Sequence, residues 1–183
     1  MSLRQRSDRR VIEVAGRELV VGSLSSGDTA RVMEIERSSY AAPWSVAMFT
    51  VEMGKRHSQC LGAWEAEALR GFLICSRFYD VWHLLNVAVD PTSRRTKVGT
   101  TLVSELLRRL DEQAILSGGT VAPVTLEVRA SNTAAQELYS RFGFMAAGVR
   151  HGYYPDNGED AVLMWRTPAT LRGSLDDVSG VQT

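Results

Sequence analysis

The sequence predicts an α/β fold in which a sheet mixing antiparallel hairpins with one parallel crossover is flanked by helices. Three stretches predict it. Leu84, Leu85, Val87, Ala88 and Val89 crowd a short apolar run ended by Asp90-Pro91, and a helical pattern then follows it. In that pattern Val98, Leu102, Leu106 and Leu110 recur every four residues, with Val103 and Leu107 beside them, before another β-rich run opens at Val124. Strand, long helix and strand in that order form a crossover, the connection that parallel strands require. Ser58 to Trp64 and Leu69 to Tyr79 are β-rich and joined by only Glu65-Ala66-Glu67, and Phe144 to Val149 and Ala161 to Trp165 close the chain, so hairpins lie on either side of the crossover.

In chain order, Met1 to Arg10 is a polar arm with four arginines, expected to be disordered. Val11 to Leu24 alternates loosely and is expected to supply one strand, Glu18-Leu-Val-Val-Gly, after a turn at Gly16. Ser26 or Asp28 caps a first helix carrying Ala30, Val32, Met33 and Ile35, which breaks near Tyr40. Pro43 forces an extended predecessor, and Ser45 caps a second helix, Val46 to Met53, that stops at Gly54. The run Leu84 to Val89 reads as a strand covered on both faces. Its crossover helix stops at Ser117-Gly118-Gly119, and Val124 to Val128 bears Glu127 and leads into Arg129. Asn132 or Thr133 opens the last helix, with capping-box spacing from Thr133 to Gln136 and a stop at Gly143. The plan is one domain over residues 11 to 166, with a polar, frayed tail over 167 to 183.

Composition narrows the function classes. Lysine plus arginine and aspartate plus glutamate are equal at 21 each, so no overall field steers the 183-residue chain toward nucleic acid or an anionic membrane. No apolar run approaches the roughly 20 residues of a spanning helix. Cys60 and Cys75 have neither metal spacing nor a disulfide framework and read as reduced, buried thiols, which fits a cytoplasmic protein. His57, His83 and His151 show no ligand spacing; they read as structural or surface residues, and no metal is expected.

Between the central strand and the crossover helix stand Arg94, Arg95, Lys97 and Gly99, three cations and a glycine where helix N–H groups point outward. That combination suits a diphosphate, while a solvated basic loop is the plainer reading. The stretch resembles the acyl-CoA signature of the Gcn5-related N-acetyltransferases, Arg/Gln-x-x-Gly-x-Gly/Ala, with Arg94 first and Gly99 last. Lys97 replaces the first glycine. Pro43-Trp44-Ser45, Asn86-Val-Ala-Val-Asp-Pro91, Leu126-Glu-Val-Arg-Ala-Ser-Asn132, and Tyr153-Tyr-Pro with Glu159-Asp160-Ala161 resemble the RimI-like ribosomal-protein-alanine branch of that family.

The resemblance implies a mixed, mainly antiparallel sheet and transfer of an acetyl group from acetyl-CoA to a protein N-terminus. The family's expected acceptor is an alanine-started ribosomal small-subunit protein. It implies that the backbone of Val87, Ala88 and Val89 pairs with pantetheine, that Arg94, Arg95, Thr96, Lys97, Val98, Gly99 and Thr100 hold the diphosphate, and that Asn132 fixes the pantetheine arm. Glu127 is then the general base, through a water, and Tyr139 the acid that reprotonates the thiolate. Pro43, Trp44, Tyr153 and Tyr154 are implied to wall the acceptor groove. Plainer readings stand beside these: a helix cap for Asn132, a surface carboxylate for Glu127, and core packing for Tyr139 and Trp44. Ala42 stands where related proteins often carry a bulkier residue. A lysine or small-molecule amine acetyltransferase would share the acetyl-CoA half, and a non-catalytic CoA-binding module would need neither Glu127 nor Tyr139. The residues leave oligomeric state open.

Overall fold

A computed structural model of the chain describes residues 8 to 178. β1 (Arg10–Val14) and β2 (Arg17–Ser23) pair antiparallel through Ala15 and Gly16, whose φ values of 52° and 75° supply the left-handed pair that a two-residue hairpin needs. Two strands therefore replace the single one expected, because an Ala-Gly turn is a weak signal inside a loosely alternating run. The expected arm is ordered where it meets this hairpin. Arg10 opens β1, the Arg9 guanidinium lies 4.3 Å from the centre of the Trp64 ring, and Asp8 accepts from the Ser23 amide at 3.2 Å. Residues 1 to 7 and 179 to 183 lie outside the described residues.

A short 3-10 turn, Ser26–Asp28, leads into α1 (Thr29–Ser39), and the Ser25 amide and hydroxyl both donate to the Asp28 carboxylate. α2 (Val46–Gly54) starts at Ser45, whose hydroxyl accepts from the Met48 amide at 3.3 Å. β3 (Ser58–Glu65) and β4 (Ala68–Phe78) form the expected hairpin, closed by Ala66 and Glu67 at φ 46° and 67°. β5 (Val81–Val89), α3 (Val98–Leu116) and β6 (Val124–Arg129) make the crossover. α4 (Thr133–Ser140), β7 (Met145–Tyr154) and β8 (Glu159–Arg166) complete it.

The eight strands form one sheet in the order β1-β2-β3-β4-β5-β6-β8-β7. β5 and β6 are its parallel pair, in register from Trp82↔Val124 to Leu84↔Leu126, while β5 itself runs on to Val89. Burial alternates along β5: Trp82, Leu84, Asn86 and Ala88 are buried, and Leu85, Val87 and Val89 are half-buried. Both faces of the strand are covered, one of them only in part.

By packing, the described chain divides into two units. The first holds the residues up to Ser76 with Leu85–Leu106, and the second holds Arg77–Leu84 with the residues from Leu107 onward. In the first, Val32, Met33 and Ile35 from α1 and Phe49 from α2 share a core with Phe72 and Ile74 of β4, and Phe49 meets Phe72 edge-on at 5.4 Å. Each buried phenylalanine contributes on the order of 2 to 3 kcal/mol. A Cβ on Gly71 would lie 2.9 Å from the Ala88 carbonyl oxygen and from a Val98 methyl, so only glycine lets the start of α3 sit this close to β4.

In the second unit Leu110, Val124, Leu126, Phe144 and Met164 are buried, and the Arg166 guanidinium forks onto Asp111 at 3.0 and 2.8 Å. The expected frayed tail is also corrected through Val178. Thr167 Oγ1 and the Ala169 amide bind the two oxygens of Asp177 at 2.5 and 3.0 Å, and Thr167, Ala169, Thr170 and Val178 are buried. Leu171, Arg172, Gly173, Asp176 and Asp177 are exposed, so this segment faces solvent while its polar groups also bind its own backbone.

Candidate functional site

Glu127 stands mid-strand in β6, opposite Leu163 of β8, with a side chain only 10% exposed. A carboxylate that dry needs charge partners, and it has two. His83 Nε2 lies 3.2 Å from Oε2 and Arg150 Nη1 lies 3.1 Å from Oε1. Neither contact has hydrogen-bond alignment, since Nε2 and Oε1 are both buried without such a partner, so the attraction is one of charge and proximity. Burial pushes the Glu127 carboxyl up, but His83 and Arg150 more than offset it and hold it below the usual glutamate range. At neutral pH it is ionised.

The topology explains how these three residues meet. In the parallel pair His83 faces Thr125, and Glu127 lies two residues on, so all three share one face of the sheet. Arg150 sits in register with Ala161, itself opposite Arg129, after an irregularity between Ala146 and Gly148 in β7. By sequence His83 reads as a structural or surface residue, and nothing local marks Arg150. Alternation from Leu84 puts His83 on the half-buried face, but its neighbour across the sheet depends on register, which a local pattern does not carry.

Tyr153 and Tyr154 follow at the end of β7, edge to face at 5.2 Å. Arg150 lies 5.7 Å from the Tyr153 ring centre, and burial together with the Glu127 charge pushes the Tyr153 phenol up. Arg129 stacks 3.9 Å over Tyr154 while forking onto Asp156 at 2.9 and 2.8 Å and reaching Glu159 at 3.0 Å, so the turn after Tyr154 is tied to β6. Glu159 also accepts from the Ser131 amide at 2.8 Å, and these donors bring its carboxyl down to about 2.

Asn132 is exposed and caps α4, its Oδ1 accepting from the Ala135 amide at 3.1 Å, which leaves the amide nitrogen for another acceptor. The expected Thr133–Gln136 box does not form. Gln136 Nε2 instead donates to the Arg129 and Ala130 carbonyls, each at 3.0 Å, because Asn132 already occupies the cap. Tyr139 is buried against Phe144, ring centres 5.7 Å apart, and burial pushes its phenol well up. It stays protonated at any working pH.

In the first unit the Tyr40 hydroxyl donates to the Val87 carbonyl at 2.6 Å, within the run Val87 to Val89. The basic loop keeps a glycine-like backbone without the glycine. Arg95 and Lys97 have φ of 63° and 70°, the left-handed region, and the Lys97 carbonyl accepts from both the amide and the hydroxyl of Thr101 at 2.9 and 3.0 Å. Thr96 Oγ1 donates to the Ser93 carbonyl at 2.6 Å; Arg94, Arg95 and Lys97 are exposed, Val98 is buried, and Gly99 and Thr100 are half-buried. Arg94 turns back on the fold, its Nε 3.5 Å from the Val89 carbonyl and its Nη2 3.5 Å from the Ser39 hydroxyl, and the first amides of α3 lack partners within the helix.

Trp44 tilts onto Phe49 at 5.2 Å, and its amide donates to the buried Glu36 carboxylate at 2.8 Å, which fixes the Pro43-Trp44 bend. Among the described residues no group of three or more His, Cys, Asp or Glu could hold a metal ion, and no helix is long and apolar enough to cross a membrane. Cys60 and Cys75 are free and buried; burial pushes the Cys60 thiol up to about 12 and Cys75 up as well, so neither is a nucleophile.

Fold and loop together define an acetyltransferase of the Gcn5-related class, and comparison with known proteins agrees. Residues 29 to 144 match the acetyltransferase (GNAT) family, and the chain belongs to it. It is 35% identical over 146 residues to the ribosomal protein bS18-alanine N-acetyltransferase of Escherichia coli K12, covering 79% of this chain and 94% of that protein. A Bacillus subtilis relative named as a putative enzyme of the same kind is 35% identical over 144 residues, 76% of this chain and 89% of that one. The crystal structure of the Escherichia coli ribosomal-protein-S18-alanine N-acetyltransferase superposes with a TM-score of 0.72 at 32% identity, covering 80% of this chain and 92% of that one.

Proposed function

We propose that this chain transfers the acetyl group of acetyl-CoA to the N-terminal α-amine of a protein, with an alanine-started ribosomal small-subunit protein as acceptor. The observation that carries the reading is the match, over nearly their whole length, to relatives named for that reaction. Residues 11 to 166 form the acetyltransferase domain in this reading. Arg94 to Thr100 hold the diphosphate of acetyl-CoA, Val87 to Val89 and Asn132 its pantetheine arm, and the left-handed backbone at Lys97 supports this because it reproduces what glycine supplies. Pro43, Trp44, Tyr153 and Tyr154 contact the acceptor.

The reaction needs a neutral amine, a polarised thioester carbonyl and a proton for the departing thiolate. Glu127, ionised and half-buried, draws the proton from the incoming ammonium through water, and Tyr139, held protonated, returns one to sulfur. The choice of amine follows from protonation. An α-amine, with a pKa of about 7.7 to 8.0, is about one-tenth neutral at pH 7, whereas a lysine amine near 10.4 is about three hundredfold less so, a handicap on the order of 3 kcal/mol.

The test is an alanine-started peptide that contains a lysine, beside the same peptide with its N-terminus blocked. We expect acetylation of the free peptide at its N-terminus, with the blocked peptide at least about tenfold poorer in kcat/KM. Equal acetylation of both, mapped to the lysine by fragment mass spectrometry, would overturn the N-terminal reading. With a ribosomal protein as acceptor, the reaction in this reading takes place in the cytoplasm.

A further inference from the structure

One buried carboxylate joins the part of the fold that the reading above assigns to the acceptor with the strand it assigns to acetyl-CoA. Glu36, in the last turns of α1, is only 1% exposed. Its Oε1 accepts from the Trp44 amide at 2.8 Å and its Oε2 from Asn86 Nδ2 at 3.1 Å, so α1, the bend after it and β5 meet on one side chain. Four residues on, where α1 ends, Tyr40 reaches the same strand. Its hydroxyl donates to the carbonyl of Val87, the residue after Asn86, at 2.6 Å.

Packing alone does not call for this arrangement. Val32, Met33 and Ile35 already hold α1 on the core, whereas burial of a carboxylate is costly and pushes the Glu36 carboxyl above its usual range. Only a two-oxygen acceptor can take an N–H from the bend and another from β5 at once. The bend is thereby pinned at both ends. Tyr40 closes α1 with its amide on the Glu36 carbonyl at 3.0 Å, proline fixes φ at position 43, and Ser45 caps α2. The Trp44 ring leans on Phe49 at 5.2 Å, and Phe49 leans on Phe72 at 5.4 Å, so the ring is backed by the core and cannot recede. Ala41, Ala42 and Pro43 are exposed and short, which leaves Trp44 as the bulky feature of the bend.

We propose that Glu36 and Tyr40 are positioning residues for the acceptor: they hold Trp44 at a fixed distance from β5, and that fixed wall limits the acceptor's first residue to a small side chain. The inference rests on the N-acetyltransferase reading, with Trp44 as an acceptor contact, and adds what sets the size limit. A wall free to move would admit a larger side chain. A pinned wall rejects it, and a fixed apolar pocket discriminates by about 10- to 200-fold for a single misfit methylene.

The experiment gives the intact chain two peptides that differ only in their first residue, alanine or leucine, and compares kcat/KM. The native protein should favour alanine at least about tenfold. Glu36→Leu and Tyr40→Phe should each shrink that preference at least about threefold, mainly through KM. Glu36→Gln, whose carboxamide still accepts from the Trp44 amide and can bond a flipped Asn86 amide, should keep the preference within about twofold. A purely structural lesion lowers both peptides by a common factor and leaves the ratio unchanged. If circular dichroism shows that Glu36→Leu does not fold, Tyr40→Phe decides by itself, because it removes one hydroxyl and keeps the ring. A ratio within about twofold of native in Tyr40→Phe, or in a folded Glu36→Leu, overturns the positioning role. A native protein that takes both peptides equally also overturns it while the N-acetyltransferase reading survives, and a native protein that acetylates no peptide N-terminus removes both.

Discussion

Lys97 shows how one residue can break a motif and keep its geometry. A left-handed backbone at a residue with a Cβ costs about 1 to 2 kcal/mol, and here Lys97 carries φ 70° with its carbonyl tied twice to Thr101. Lys97→Gly should therefore raise stability by about 0.5 to 1 kcal/mol in chemical denaturation. Acetyl-CoA affinity should fall by no more than about fivefold, since an exposed cation contributes at most about 1 kcal/mol. An affinity gain beyond tenfold would show instead that the lysine side chain obstructs the diphosphate.

Glu36 makes a second case at this scale. It is buried, it accepts from the Trp44 amide and from Asn86 Nδ2 at 3.1 Å, and burial nonetheless pushes its carboxyl above the usual range. With the folded state binding the proton more tightly than the unfolded chain, the stabilisation is complete below the ordinary glutamate pKa and is lost as pH rises through the folded value. Asn86 Oδ1 has no hydrogen-bond partner, so after Glu36→Gln a flipped Asn86 amide can accept from the introduced carboxamide. That substitution should thus keep stability within about 1 kcal/mol at pH 7 and flatten its fall with rising pH, whereas Glu36→Leu should cost about 2 to 4 kcal/mol by stranding two donors. Urea unfolding of the three proteins from pH 4 to 8 separates these outcomes.

At the scale of elements, the β3–β4 hairpin closes through Ala66 and Glu67, two residues poorly suited to the positive φ that each adopts. The strands impose that turn, because only a left-handed pair matches the twist of a two-residue connection. Ala66→Asn with Glu67→Gly should raise stability by about 1 to 2 kcal/mol, read as a higher denaturant midpoint at unchanged slope. No gain would mean that turn strain is relieved elsewhere in the hairpin. The same logic explains why this hairpin was legible without turn chemistry while β1–β2 was not: Ser58–Trp64 and Leu69–Tyr79 are long, strongly β-rich runs, whereas Val11–Leu24 alternates too loosely to show its bend.

At the scale of the whole molecule, equal counts of acidic and basic residues leave local charge in control. Arg94, Arg95 and Lys97 are exposed, so salt that shortens the screening length from about 10 Å at 0.1 M to about 3 Å at 1 M should weaken acetyl-CoA binding several-fold. kcat/KM for a peptide acceptor without charged side chains at saturating acetyl-CoA should change less than twofold. A flat acetyl-CoA titration across that range would remove the three cations from the diphosphate site.

What the sequence determined by itself was set by local periodicity and by residues adjacent in the chain. The crossover of β5, α3 and β6, the caps at Ser45 and Asn132, and the basic loop before α3 were all legible for that reason. Tertiary structure decided what depends on register and burial. It placed His83 and Arg150 on the Glu127 carboxylate, fixed Trp44 through a buried Glu36, and folded Thr167 to Val178 around Asp177. A periodic pattern states which face a residue occupies, but the neighbour across that face is chosen by strand order, and only the assembled sheet supplies that order.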